Sequence, residues 1–147
     1  MEDLARVRQR FAGEEGAELI LIGRRNVRDC NSWMHNFHRL IKGRDRCTLF
    51  MHPQDMASRG IETDAEVEVR SRVGAVRVKV VATEDIMPGV VSLPHGYGHG
   101  RAGTQMDIAN EHAGVSVNDL TDEQLLDGLS GNAALNSVPV EVCALSA

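Results

Sequence analysis

AEVEVRSRVGAVRVKVVAT, residues 65–83, decides the fold. Apolar and charged side chains alternate with period two on both sides of a short turn. That is the pattern of half-buried strands, whose successive side chains face opposite ways. Val67 and Val69 face inward on the first strand; Val76, Val78 and Val80 do so on the second. "RVG" between them supplies a hairpin turn, with Gly74 free to adopt a positive φ.

The same reading extends outward. "ELILIG" (18–23) is a short apolar run closed by glycine, and "CTLFMH" (47–52), "VVSLP" (90–94) and "VPVEVCAL" (138–145) are further strands. "HPQDMASRGI" (52–61) marks a short helix, with Pro53 at its first position, Asp55 in its first turn and Gly60 at its end. Thr121 and Gln124 form a capping box that predicts a second short helix. Residues 24–46 read as a long loop with one helical turn around Met34–Leu40, and residues 101–119 as irregular. Residues 1–16 read as a linker or an N-terminal helix (Leu4–Phe11), ahead of one domain over 17–147. Five or six short strands without βαβ units predict a mainly β chain, a barrel with short helical insertions.

The chain has 147 residues, enough for one core. Its aromatics are one Trp, one Tyr and three Phe, so Val, Leu, Ile, Met and Ala must fill that core. The net charge of −5 argues against non-specific nucleic-acid binding. The charge is unevenly spread. Between Arg24 and Arg46 there are seven basic residues against two acids; after Gly100 there is one basic residue against seven acids. A local basic patch suits a small anionic ligand better than a long polyanion. Three scattered cysteines without CxxC spacing fit a reducing, cytoplasmic setting. No apolar run approaches the ~18 residues of a membrane span.

Six histidines raise the question of a metal. His35/His38 and His95/His99 have helical spacings, but "HGYGH" carries two glycines and follows a strand, so its two rings do not share a helix face. The spacing of three or four converging ligands is missing. No nucleophile elbow, P-loop or dinucleotide glycine fingerprint occurs. A binding site is better supported. Gly96, Gly98 and Gly100 let backbone amides approach a ligand, and Tyr97 adds a flat face. "RRNVRDCNSW" (24–33) adds guanidinium forks, amides, a hydroxyl and an indole N–H, which suit phosphate oxygens and a planar heterocycle. Asn118 and Asn136 are further amide-bearing positions at loop ends.

Three stretches, "LILIGRRNVRDCNSWMHN", "LFMHPQDMASRGIETDAEVEVRSRVGAVRVKVVATEDIMPGVVSLPHGYGH" and "SVNDLTDEQLLDGLSGNAALNSVPVEV", occur in this order. Together they resemble the C-terminal molybdopterin-dinucleotide-binding domain of the molybdopterin oxidoreductases, the superfamily of formate dehydrogenases, nitrate reductases and dimethyl-sulfoxide reductase. The resemblance implies a double-psi β-barrel. It implies a cofactor, the bis form of molybdopterin guanine dinucleotide with molybdenum or tungsten, shared with domains or a large subunit outside this chain. It implies that Arg24, Arg25, Arg28, Asn31, Ser32, Trp33 and His35 line the dinucleotide. His95, Gly96, Tyr97 and Gly98 would lie along the pterin, and Asn118 and Asn136 would hydrogen-bond the pterin or its phosphates. Family members often carry Trp where this chain has Tyr97, which keeps the flat face and exchanges an N–H donor for an O–H. The motifs for metal ligation and iron–sulfur clusters belong to other domains, so no catalytic residue is expected here.

Three alternatives stay open at this level. The chain could be a small subunit in its own right, like the similar domain of formylmethanofuran dehydrogenases. It could be a barrel-fold interaction or nucleic-acid module that has lost the cofactor. It could be a histidine-dependent metallohydrolase, which would carry stoichiometric zinc.

Overall fold

In the computed structural model, residues 19–128 and 130–145 are described. The expected N-terminal helix or linker, and Glu18 of the first predicted strand, lie outside them. Among the described residues six strands form: β1 (Leu19–Arg24), β2 (Thr48–Met51), β3 (Glu66–Arg70), β4 (Ala75–Ala82), β5 (Val90–Pro94) and β6 (Val138–Ala144). They close into a barrel in the order β1-β5-β2-β4-β3-β6. The pairs β1/β5 and β2/β4 are parallel, and the other four are antiparallel. Neither parallel pair is consecutive in sequence, so each needs a long connection. The fold is a double-psi β-barrel. Short helices α1 (His38–Ile41), α2 (Pro53–Ser58) and α3 (Asp107–Glu111) and a 3-10 turn (Val117–Asp119) sit in the connections.

The alternating valines point inward as their period requires. Val67 pairs with Val78 and Val69 with Val76, and all four are buried. Leu19, Leu21, Leu49, Met51, Val91, Leu93, Val138 and Val140 complete an aliphatic core without aromatic rings. Burial of these side chains is the main source of barrel stability, at roughly 1.5–3 kcal/mol for each large one.

Strand directions then fix where the loops go. The C-terminal ends of β1, β3 and β5 and the N-terminal ends of β2, β4 and β6 share one end of the barrel. The connections 25–47, 71–74 and 95–137 therefore all open at one mouth. Those over 52–65 and 83–89 lie at the other end.

Helix α2 forms as expected, with Pro53 at its start and His52 Nδ1 accepting from the Gln54 amide at 3.2 Å. Four expectations need correction. Gly74 does not adopt a positive φ; a Cβ there would lie 2.5 Å from the Asp119 carbonyl oxygen, so glycine is required by close approach. No helix forms among the described residues of 121–130. Thr121 Oγ1 donates back to the Asn118 carbonyl at 2.9 Å. Asp122 Oδ1 takes the Gln124 amide at 2.7 Å, and the same carboxylate pairs with Arg72 of the β3–β4 hairpin, which holds it down near about 2. The segment is pinned as a turn across the mouth. Within 101–119, read as irregular, α3 does form. Its cap is non-local: Asn36 Oδ1 accepts from the Ile108 and Ala109 amides, each at 3.1 Å. Finally, the helical turn expected around Met34–Leu40 starts only at His38, because residues 27–36 fold as successive turns.

Candidate functional site

The parallel β1/β5 pairing sets Arg24 opposite Pro94. The basic loop and the Gly/His loop thus leave the barrel side by side. The His95 amide extends the ladder by one bond, donating to the Arg24 carbonyl at 2.9 Å. At Gly96 the two loops meet backbone to backbone. Its φ is +100°, and a Cβ there would lie 2.5 Å from the Asn31 carbonyl carbon and nearer still to the oxygen. Cys30 and Asn31 accept positive φ values of 43° and 63° on the other side of this contact. Gly98, at φ +106°, donates its amide to the Ala113 carbonyl at 2.8 Å and packs against Ser116.

Beneath this contact lies a buried polar cluster. His35 is fully buried, with Nδ1 2.8 Å from His99 Nε2 and Nε2 3.3 Å from Asp29 Oδ1. The Tyr97 ring lies 4.3 Å from the His35 ring, tilted onto it. Arg46 donates to Asp29 Oδ1 at 2.9 and 3.2 Å. Asp29 Oδ2 and His35 Nε2 have no hydrogen-bond partner among the described residues. Burial lowers both imidazoles, with Asp29 opposing at His35 and the His35 charge adding at His99. Burial pushes the Tyr97 phenol up to about 12, helped by Asp29. Among the described residues, no three His, Cys, Asp or Glu side chains are placed to hold a metal ion.

Arg24 closes the floor of the mouth. Its guanidinium donates to the carbonyls of Ser92 at 2.9 Å, Thr48 at 2.8 Å and Arg46 at 3.3 Å, and lies 3.6 Å over the Phe50 ring. All three acceptors are neutral, so none of these bonds cancels its charge.

The structure therefore sorts the sequence candidates into two layers. Arg24, His35, Gly96, Tyr97 and Gly98 build the frame. Arg25, which donates to Asn31 Oδ1, stands at the surface with Arg28, Asn31 and Trp33; Ser32 and His95 are half-buried beside them. Trp33 is 81% exposed, and Val27 and Phe37 on the same loop are 93% and 60% exposed. Asn136 Oδ1 accepts from the Gly23 amide at 2.7 Å at the mouth. Asn118 sits on the 3-10 turn at the same end, exposed. Sequence reading missed Asp29, Arg46 and His99 as parts of one cluster. The available signal was weak: Asp29 is an isolated acid inside a basic stretch.

Comparison with known proteins agrees with this architecture. A tetrathionate reductase subunit from Salmonella typhimurium is 28% identical over 109 residues, which are 63% of this chain and 11% of that protein. The structure of acetylene hydratase from Pelobacter acetylenicus superposes with a TM-score of 0.71 at 17% identity, covering 86% of this chain and 18% of that one. The chain thus spans only about a tenth to a fifth of the length of these two proteins. The family model described as the molydopterin dinucleotide binding domain matches residues 19–139, from the first residue of β1 into β6, so both mouth loops fall inside it and the chain belongs to that family.

Proposed function

We propose that this chain seats the guanine dinucleotide form of a molybdenum or tungsten pterin cofactor. The cofactor would be shared with further domains of a larger oxidoreductase, and the chain would not turn over substrate alone. The observation that carries this reading is the meeting of the basic loop and the Gly/His loop at one barrel mouth, backbone against backbone at Gly96. The residues present fit such a group. Arg25 and Arg28 offer fork-like donors to phosphate oxygens, and Trp33 offers an exposed indole face to a heterocycle. Arg24 adds positive charge from below without a carboxylate bonded to it. Asn31, Ser32, His95, Asn118 and Asn136 would set orientation through hydrogen bonds. When bound, the metal supplies the redox chemistry; this chain binds, orients and covers. The three free thiols fit a reducing compartment for it.

A separate small subunit of such an enzyme is the second reading. It is favoured by the same mouth and differs only in covalent connection to the partner domains.

The test uses the assembled holoenzyme. Acid hydrolysis releases the nucleotide, and the ratio of guanosine monophosphate to metal is measured. Arg25→Ala and Arg28→Ala should each lower guanine nucleotide retention by about tenfold or more, the worth of one charge-assisted hydrogen bond. Unchanged retention in the double variant would sink the assignment. Steep salt-dependent binding of the chain to random DNA would favour the interaction-module reading instead.

Trp33 provides an independent readout, since it is the sole tryptophan. In the chain alone its emission should be that of a water-exposed indole, open to iodide quenching. In the assembled enzyme the Trp33 contribution, read as the difference between wild type and Trp33→Phe, should be shifted to the blue and quenched several-fold less.

A further inference from the structure

One buried hydrogen bond joins the two mouth loops through imidazoles. His35 Nδ1 and His99 Nε2 are 2.8 Å apart, on residues 64 positions apart in sequence. A bond between two ring nitrogens holds one hydrogen: one nitrogen donates and the other must be bare. His35 is fully buried and His99 is 8% exposed, so water does not replace the bond while the loops stay packed.

We propose that this N–H···N bond is an acid-opened latch. It holds the loop over 25–36 against the loop over 95–100 while at least one ring is neutral, and it releases them when both rings are protonated. The proposal concerns the chain itself and does not rest on the cofactor reading.

The surroundings explain why the first proton is tolerated and the second is not. The first has a place at His35 Nε2, which faces Asp29 at 3.3 Å and lacks a hydrogen-bond partner among the described residues. The second would set two N–H groups against each other across 2.8 Å. Other charged groups bear on the pair from each packed element. Arg46, ahead of β2, neutralises Asp29, and Tyr97 stacks on His35 as a neutral phenol. Arg24, Asp45 and Cys47 act on the same cluster at longer range. Arg44 and His112 border the cavity of about 250 Å³ next to Arg46 and Tyr97.

The sign follows from burial. Both rings have their proton affinity lowered in the packed state relative to the unfolded value of about 6.5. The contribution of the latch is therefore complete above about pH 6.5 and is lost as pH falls below it.

The test is amide hydrogen exchange of the whole chain between about pH 7.5 and 5, corrected for intrinsic rates, alongside nitrogen spectra of the imidazoles. The amides of Met34, His35, Gly98 and His99 are bonded within or behind the two loops. They should lose protection on acidification, by up to about tenfold per pH unit for each proton taken up on opening. Strands β3 and β4 should not change. His99→Gln keeps an acceptor for the His35 N–H and removes one of the two titrating rings, so its loop profile should be shallower than that of the wild type by the slope of one proton. A flat wild-type profile, or an unchanged step in His99→Gln with its strands still protected, overturns the latch. If His99→Gln loses strand protection, the wild-type spectra decide. Both rings charged at the pH of opening supports the latch; a ring still neutral through opening overturns it.

Discussion

Gly96→Ala lowers the free energy of unfolding by roughly 3 kcal/mol and separates the two mouth loops while the barrel strands stay paired. Two terms add. The φ of +100° is left-handed backbone that alanine adopts only with strain. The new Cβ also falls 2.5 Å from the Asn31 carbonyl carbon and 3.2 Å from the Ser32 amide nitrogen. Those are backbone atoms, which cannot swing aside as a side-chain end would. Relief requires the loop over 26–36 to move out, and that pulls His35 away from His99. Gly103→Ala is the matched control: its φ is +89°, but a Cβ there meets nothing within 4 Å. It should cost only the strain, about 1 kcal/mol. Chemical denaturation gives the totals, and loop amide exchange reports the separation. Equal costs at the two positions would show that the contact with Asn31 contributes nothing.

That contact illustrates what a one-dimensional reading reaches. Period-two alternation is a local signal, and it placed Val67, Val69, Val76, Val78 and Val80 on the inner wall, where the structure has them. Pro53 and Asp55 likewise mark α2 from within. What escaped the reading is held from a distance. Helix α3 is preceded by Met106, which makes no side-chain cap, and the Ile108 and Ala109 amides are satisfied by Asn36, some seventy positions earlier. Thr121 and Gln124 have the letters of a capping box, but Arg72 from the hairpin takes Asp122 and bends the segment into a turn. Gly74 shows the same limit, since its glycine is required by the Asp119 carbonyl of another loop. At the mouth, residue types marked a polar, basic loop, which the structure has there. The division into a buried frame and an exposed rim depends on which histidine meets which, and His35 meets His99 rather than the sequence-adjacent His38.

Arg24→Met should cost about 3 kcal/mol of stability and should weaken anion binding at the mouth. Arg24 is the last residue of β1, and its guanidinium reaches the carbonyls of Ser92 in β5 and Thr48 at the start of β2. It thereby ties together three strands that are neighbours in the barrel order. Methionine keeps the stem and can lie over Phe50, so packing is largely retained. What disappears is the donor set, leaving the Ser92 and Thr48 carbonyls to whatever water can enter at a half-buried site. Arg24→Lys separates geometry from charge. An ammonium is a compact donor that cannot reach all three carbonyls as the planar fork does, so part of the stability should be lost while the positive charge stays. If Arg24 serves the mouth through its field, guanine nucleotide retention in the holoenzyme should be near wild type in Arg24→Lys and low in Arg24→Met, with the gap closing at high salt. If it serves by holding the three strands in place, both variants should lose nucleotide in proportion to their loss of stability, at any salt. The frame arginine and the rim arginines then differ in a measurable way: Arg25→Ala and Arg28→Ala should reduce retention while leaving the unfolding free energy within about 0.5 kcal/mol of wild type, as exposed substitutions do.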